Sequence, residues 1–158
     1  MKTAYLGLGT NLGDRAAQLD DAIARLQAAD IHILRSSSRY ETAPQDVTAQ
    51  PWFLNMVVKV ETRLFPRQLL TVLLRIERDM GRVRRVAKGP RVIDIDLLLY
   101  GSAIIKAPEL EVPHPRLHER RFVLEPLAEL APGLRHPILR RTMRDLLGGV
   151  SAQQVRRA

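Results

Sequence analysis

The chain has 158 residues, which suits one domain with its own core, and its formal net charge of +8 favours an anionic partner without identifying it. It contains no cysteine, so disulfides and thiolate metal sites are excluded. No apolar stretch approaches the ~20 residues of a membrane span and the N-terminus lacks a signal-peptide pattern, so we expect one cytoplasmic domain over residues 1–158 with no membrane partner.

Four segments have the apolar or alternating character of β-strands, and two amphipathic segments between them predict helices. Asp14 is a suitable N-cap for the first helix, which runs to about Ala29. Pro66 suits the first turn of the second helix, and Gly81 is a suitable stop. The four predicted strands are, in chain order, Thr3–Leu8, Ile31–Ser38, Phe53–Thr62 and Val92–Tyr100.

The resulting order, β-α-β-β-α-β, predicts a ferredoxin-like α+β fold. We expect a mostly antiparallel sheet with the helices packed on one face. The polar, proline-containing segment Thr42–Pro51 is predicted to be a loop. Beyond Ser102 we expect another proline-containing loop, short helices near Phe122–Leu130 and Thr142–Leu147, and a basic tail.

Three glycines, Gly7, Gly9 and Gly13, follow the start of the first strand with the spacing G-x-G-x-x-x-G. A dinucleotide-binding fingerprint needs G-x-G-x-x-G, so this segment is not one, and the chain has no Walker A sequence. We interpret the glycines as a tight strand-to-helix turn.

Two aspartates, Asp94 and Asp96, interrupt the apolar fourth strand. Residues two apart on a strand project from the same face, with α-carbons about 6.5–7 Å apart. Two carboxylates at that spacing can hold Mg²⁺ and leave room for phosphate oxygens and water. The alternative is a solvated polar face, but the apolar neighbours predict a buried strand, in which unpaired carboxylates are costly. The pattern therefore favours a metal site.

Five cations lie just before the aspartates, and arginine forks bind phosphate through paired hydrogen bonds. Such a run is most often a solvated surface, but its closeness to two carboxylates favours a phosphate site. The five are Arg82, Arg84, Arg85, Lys88 and Arg91.

The remaining candidates give weaker signals. His114 lies in the rigid segment Val112-Pro113-His114-Pro115, where a histidine is usually structural but could contact phosphate. Phe53, beside Trp52, and Phe122 belong to a small set of aromatic residues. Such residues are usually core, and the alternative is a stacking face for a flat ring.

Colinear segments over roughly residues 1–135 form a specific pattern. The segments are Gly9–Asp14, Tyr40–Pro44, Gln50–Asn55, Ile76–Glu77, Gly81–Arg84, Gly89–Leu97, Val112–Arg116 and Arg120–Leu124. Any one segment would be suggestive, and the full set in order is highly specific. With these segments the chain resembles the 6-hydroxymethyl-7,8-dihydropterin pyrophosphokinases of folate synthesis.

The resemblance implies a reaction in which pyrophosphate passes from ATP to the hydroxymethyl group of the pterin, releasing AMP. The pterin oxygen would attack the β-phosphorus. Asp94 and Asp96 match the ligands of two Mg²⁺ ions that bridge the triphosphate, so positioning and charge neutralisation would supply most of the catalysis.

On the ATP side, the resemblance implies catalytic roles for two arginines besides the aspartates. Arg82, on a mobile loop, and Arg91 match arginines that engage the ATP phosphates. Further nucleotide-site positions are matched by Glu77, Arg84, His114 and Arg120.

On the pterin side, the resemblance implies that Phe53 and Phe122 sandwich the ring. Thr42, Pro44 and Asn55 match positions that recognise its polar edge by hydrogen bonds. A buried polar edge recognised in this way discriminates strongly, because a wrong ring would leave donors unpaired.

The chain departs from the family pattern at four positions. Some members have a tryptophan where this chain has Lys88 and a cation where it has Ala87, so the resemblance does not imply an aromatic lid from this loop. Ala43 replaces a common proline, which predicts a less rigid loop. Pro115 stands where some members carry a tyrosine.

Two other functions are compatible with the residues. A palm-like, Mg²⁺-dependent nucleotidyl transferase or cyclase would also use two aspartates on a ferredoxin-like sheet. A basic nucleic-acid-binding module would explain the net charge, but the basic loop has no interleaved aromatic residue for base stacking. We therefore expect ATP and the pterin as partners, no nucleic acid, and a monomer.

Overall fold

A computed structural model describes residues 1–43, 50–81 and 92–158. Within these residues the chain forms a six-stranded sheet, a two-stranded sheet and four α-helices, with a short 3-10 helix at Leu117–Glu119. The elements are β1 (Lys2–Thr10), α1 (Arg15–Ala28), β2 (His32–Ser36), β3 (Tyr40–Thr42), β4 (Phe53–Thr62), α2 (Pro66–Asp79), β5 (Asp94–Tyr100), β6 (Ile105–Lys106), β7 (Glu111–Val112), α3 (Arg121–Leu130), α4 (Met143–Gly148) and β8 (Val155–Arg157).

The main sheet has the strand order β5-β1-β4-β3-β8, and β2 also pairs with β4. All of these pairings are antiparallel. The predicted ferredoxin-like α+β fold is therefore confirmed, with β1 and β4 in the centre of the sheet.

The helix ends follow the local sequence signals. The Asp14 side chain accepts a hydrogen bond of 3.1 Å from the backbone N–H of Ala17, which caps α1. Pro66 is at the start of α2, where its missing N–H costs nothing. Gly81 follows α2 with a φ of +85°, a conformation that glycine adopts without strain.

One face of the sheet is covered by α1 and α2. Buried leucines of both helices pack there against alternate residues of the central strands. These leucines include Leu19, Leu26, Leu69 and Leu73, and their partners include Leu6, Leu8, Met56 and Val58.

The opposite face is covered by α3 and α4. The expectation that helices pack on one face is confirmed for the two core helices α1 and α2, and the C-terminal helices add a second layer. Tyr5, Val57 and Leu98 project to this second face and pack with Leu124 and Leu127 of α3. Because the central strands are apolar on both faces, each face needs a cover, and the C-terminal helices supply the second one.

The edge strand β5 contains an irregularity. The register with β1 shifts between Tyr5 and Leu6, so that Leu6 is opposite Leu97 and Tyr5 is opposite Leu99. As a result, both Leu98 and Leu99 pack into the core under α3. The aspartates lie on the N-terminal side of this shift.

Two strand predictions need correction. The predicted strand Ile31–Ser38 ends as β2 at Ser36, and the chain resumes pairing with β4 only at Tyr40. The regular ladder ends at Ser37, which donates its N–H to the Val57 carbonyl at 2.9 Å but accepts the Val57 N–H with its hydroxyl, also at 2.9 Å, in place of a backbone carbonyl. The predicted strand Val92–Tyr100 begins at Asp94.

The basic tail forms a strand. Residues Val155–Arg157 pair with β3, so that Val155 is opposite Thr42 and Arg157 is opposite Tyr40. The short hairpin of β6 and β7 was likewise not expected. In the described part of the chain, no helix combines the length and apolar composition needed to cross a membrane.

Candidate functional site

The two aspartates lie at the end of the sheet where β5 begins. Asp96 is opposite Gly7 and Asp94 is opposite Gly9 in the pairing of β5 with β1. Strand alternation places both carboxylates on the face to which Leu98 also projects, the face covered by α3. Both aspartates are half-buried.

Gly7 and Gly9 lie within β1, so their interpretation as a strand-to-helix turn is wrong; only Gly13, with a φ of +67°, follows the strand. The requirement at Gly9 is steric. A Cβ there would lie well under 3.0 Å from Oδ1 of Asn55. At Gly7 a Cβ would make ordinary contacts of 3.5–3.7 Å with the Leu98 side chain.

A buried polar pair lies on the other side of Gly9. Asn55 is opposite Gly9 in β4, and its Nδ2 donates a 2.6 Å hydrogen bond to Oγ1 of Thr42 in β3. Thr42 and Asn55 are 2% and 7% exposed. Phe53 projects to the same face as Asn55 and is half-buried. Three of the residues assigned to the pterin side are therefore neighbours.

Arg120 and Phe122 enter the site from the start of α3. The Arg120 guanidinium lies 5.4 Å from the centroid of the Phe122 ring. Burial lowers the pKa of Arg120, with a further contribution from Arg116. The carboxylates of Asp96 and Asp94 raise that pKa, so both act electrostatically on this guanidinium.

The Nε of Arg120 is buried and has no hydrogen-bond partner among the described residues. A buried, unpaired donor on a cation is costly unless a ligand satisfies it. The position is therefore suited to an anion.

His114 is fixed beside Arg120 on the free edge of β5. Its backbone N–H donates to the carbonyl of Leu98 at 2.9 Å, and its Nδ1 accepts from the N–H of Arg116 at 3.2 Å. Burial, and then the cations Arg120 and Arg116, lower the pKa of the imidazole to about 4. The ring is therefore neutral at pH 7, and the bond to Nδ1 assigns the proton to Nε2 as a donor.

Glu77 reaches the same strand edge from α2. It is 4% exposed, and its Oε2 accepts a 2.7 Å hydrogen bond from the backbone N–H of Ile95. Ile95 separates Asp94 from Asp96, so Glu77 fixes the backbone between the two carboxylates.

Four of the predicted site residues lie outside the described residues. They are Pro44, Arg82, Arg84 and Arg91. The departures at Ala87 and Lys88 lie outside them as well.

Contacts that the sequence did not predict surround the start of β4. The Asn11 Nδ2 donates to Oε1 of Gln50 at 2.8 Å and to the carbonyl of Pro51 at 3.1 Å. The guanidinium of Arg156 lies 4.5 Å from the Trp52 ring centroid. Asn11 and Gln50 belong to the segments that carry the resemblance, but Arg156 does not, and its separation of more than 100 residues from Trp52 gives no local signal.

The site thus has two halves on one face of the sheet. Two carboxylates, a half-buried arginine and a neutral histidine form a charged half. The hydrogen-bonded Asn55–Thr42 pair, with the Phe53 ring beside it, forms a second half, which we call the ring-binding half after the role that the resemblance implies. Neighbouring strands lie about 4.8 Å apart, so the Asp94 and Asn55 backbones, on either side of β1, are separated by about 10 Å.

Comparison with known proteins gives a consistent result. The family described as 7,8-dihydro-6-hydroxymethylpterin-pyrophosphokinase (HPPK) matches residues 5–132. A 2-amino-4-hydroxy-6-hydroxymethyldihydropteridine pyrophosphokinase of Methylorubrum extorquens is 50% identical over 135 residues, covering 85% of this chain and 85% of its own.

Other relatives are longer. The folic acid synthesis protein fol1 of Pneumocystis carinii is 44% identical over 137 residues, covering 87% of this chain but only 18% of its own length. Among solved structures, a wild-type Plasmodium falciparum HPPK-DHPS with pteroate superposes with a TM-score of 0.76. It is 19% identical, and the match covers 94% of this chain and 42% of that one, so this likeness shows the fold alone.

Substituting Gly9 by alanine tests the steric constraint on β1. We expect Gly9→Ala to displace Asn55, weaken its hydrogen bond to Thr42 and lower the free energy of unfolding by about 1–3 kcal/mol. Gly7→Ala is the matched control, because its Cβ makes only ordinary contacts, and it should change stability by less than about 1 kcal/mol. Urea denaturation measures both, and equal losses would contradict the steric explanation.

His114 should make stability depend on pH. Because its pKa is about 4 in the folded chain and 6.5 in a model peptide, both states are neutral above pH 6.5 and the group contributes no slope there. As the pH falls from 6.5 to 4, only the unfolded chain gains the proton, so stability falls. Urea denaturation across this range should give a shallower loss for His114→Gln than for the natural chain; parallel losses would contradict the assigned pKa.

Proposed function

The chain belongs to the 7,8-dihydro-6-hydroxymethylpterin-pyrophosphokinase family, and from this premise we propose that it transfers pyrophosphate from ATP to 6-hydroxymethyl-7,8-dihydropterin in folate synthesis. The observation that carries the proposal is the separation of about 10 Å between the carboxylate pair Asp94 and Asp96 and the buried Asn55–Thr42 hydrogen bond on the same face of the sheet. A flat ring held at Asn55 and Thr42 would extend its hydroxymethyl arm toward a triphosphate held at the carboxylates.

The proposed reaction is a substitution at phosphorus. The hydroxymethyl oxygen forms a bond to the β-phosphorus of ATP, and the bond from that phosphorus to the oxygen bridging it to the α-phosphorus breaks. AMP leaves with the bridging oxygen, and the hydroxymethyl proton is released. The chain forms no covalent bond to either substrate, so its contribution is positioning and electrostatic stabilisation.

Asp94 and Asp96 are proposed to be the residues that would hold the Mg²⁺ accompanying ATP, as two ions. Mg²⁺ favours oxygen ligands and keeps several positions for water and phosphate, which fits two carboxylates on one face. Bound Mg²⁺ neutralises triphosphate charge and polarises the reacting oxygens.

Arg120 and His114 are proposed to bind phosphate oxygens. The unpaired Nε–H of Arg120 and the Nε2–H of a neutral His114 are both donors, and each can donate to an anion without first gaining a proton. Glu77 supports the site by holding Ile95 between the two aspartates. Arg82, Arg84 and Arg91 keep the phosphate-binding roles that the resemblance implies, with Arg82 and Arg91 acting in catalysis.

The ring-binding half is proposed to hold the pterin. Phe53 and Phe122 would contact its two faces, and Thr42, Asn55 and Pro44 would recognise its polar edge. The Asn55–Thr42 hydrogen bond fixes the orientation of the amide before the substrate arrives, which reduces the ordering cost of binding.

We propose that residues 1–158 act as a single, monomeric domain in the cytoplasm, with small-molecule substrates and no nucleic-acid partner.

Product analysis tests the function. We expect the chain, incubated with ATP, Mg²⁺ and 6-hydroxymethyl-7,8-dihydropterin, to form AMP and the pterin diphosphate in equal amounts, as measured by chromatography. Free pyrophosphate with a nucleotidyl product would instead indicate a nucleotidyl transferase.

Asp94→Asn and Asp96→Asn should each lower turnover about 10²-fold or more with an unchanged fold. Asp79→Asn, an exposed control at the end of α2, should retain turnover within about twofold.

Phe122 tests the ring-binding half separately. We expect Phe122→Ala to weaken pterin binding about tenfold to a hundredfold, because a stacking face is lost, with ATP binding changed less than about threefold. Phe65→Ala, which removes an aromatic ring that is 70% exposed, is the control. Calorimetric titration with each substrate gives the affinities, and unchanged pterin affinity in Phe122→Ala would remove this residue from the ring site.

A further inference from the structure

We propose that Arg156, in the C-terminal strand β8, is a positioning residue for the ring-binding half of the site. The inference rests on the proposed function for the identity of the ring, and it concerns an element beyond residue 132, where the family match ends. Arg156 acts through Trp52 and Glu41 and touches neither substrate.

Four residues form a closed set of contacts, which we call the C-terminal clamp: Arg15, Glu41, Trp52 and Arg156. The two carboxylate oxygens of Glu41 accept hydrogen bonds from two different arginines, Arg156 at 2.9 Å and Arg15 at 3.3 Å. Arg15 also donates to the Trp52 carbonyl at 3.1 Å. Arg156 completes the set by lying over the Trp52 indole, 4.5 Å from its centroid.

The clamp lies directly behind the ring-binding half. Trp52 precedes Phe53, which begins β4 opposite Thr42, and Glu41 precedes Thr42 in β3. Because side chains alternate along a strand, Glu41 projects to the face opposite Thr42. The clamp therefore supports the backbone at Phe53 and Thr42, the two positions that present these side chains to the site.

The contacts of Arg156 are individually weak, which suits a residue that positions its neighbours. Its side chain is 66% exposed, and exposed ion pairs and cation–π contacts are individually weak. Hydrogen bonds from Arg156, and more weakly from Arg15, lower the pKa of Glu41, so the carboxylate is charged at pH 7. Contacts of this strength contribute little to the free energy of folding, but they restrict the position of Trp52 relative to β3.

Arg157 provides a matched control in the same strand. Its guanidinium lies 5.7 Å from the Tyr40 ring centroid and 3.7 Å from Oε1 of Glu129, so it makes the same two kinds of contact as Arg156. Those contacts lead to Tyr40 of β3 and Glu129 of α3, and not to Trp52 or Glu41. Replacing Arg157 removes one charge and one cation–π contact from β8 and leaves the clamp intact.

Trp52 is the only tryptophan of the chain, so its fluorescence reports on the clamp without any ligand. We expect Arg156→Ala to increase acrylamide quenching of Trp52, because one face of the indole loses its cover, and Arg157→Ala to leave quenching unchanged. Steady-state kinetics should show a KM for the pterin raised about threefold to tenfold in Arg156→Ala, with the KM for ATP within about twofold. Arg156→Lys should recover part of the loss, since it keeps a cation over the ring.

Three results would overturn the proposal. They are unchanged quenching in Arg156→Ala, equal increases in both KM values, and a lysine variant no better than the alanine variant. A natural chain that forms no AMP would overturn the proposed function instead, and the quenching measurement would still decide whether Arg156 covers Trp52.

Discussion

The site depends on one constraint, the register in which β1 pairs with β4 on one side and with β5 on the other. That register puts Gly9 between Asn55 and Asp94. Because a Cβ at Gly9 would collide with the Asn55 amide, the central strand must present bare backbone here. The two halves of the site therefore face each other across a strand that carries no side chain between them. A shift by one residue would turn both aspartates toward α1 and α2.

Contacts from outside the sheet hold the edge strand β5 in this register. Among the described residues β5 is an edge strand, and two of its backbone groups find partners outside the sheet: Glu77 of α2 accepts from the Ile95 N–H, and His114 donates its N–H to the Leu98 carbonyl. An unsatisfied edge would be free to pair elsewhere. Both residues match nucleotide-site positions in the family resemblance, and His114 also belongs to the charged half, so the support of β5 and the charged half share a residue.

The sequence predicted the parts of the fold that rest on local pattern. The period of the apolar residues predicted the four core strands and two helices, and capping residues such as Asp14 and Pro66 predicted where helices begin. Long-range pairing was not predictable in this way: β8 is held by β3, more than 100 residues earlier, and the break at Ser37 depends on a side-chain bond to Val57. The same limit explains why Gly9 was assigned to a turn, since its steric partner Asn55 lies in a distant strand.

The two halves of the site use different physics, and this determines what each contributes under the proposed function. Thr42 and Asn55 are almost fully buried and hydrogen-bonded to each other, so a ring that fails to match them leaves polar groups unpaired where water cannot replace the ligand. That half sets specificity. Arg120 and His114 are only half-buried and face a ligand whose charge is spread over many oxygens, so small displacements are tolerated in binding. Their value is greatest where negative charge develops during transfer, so the charged half sets the rate.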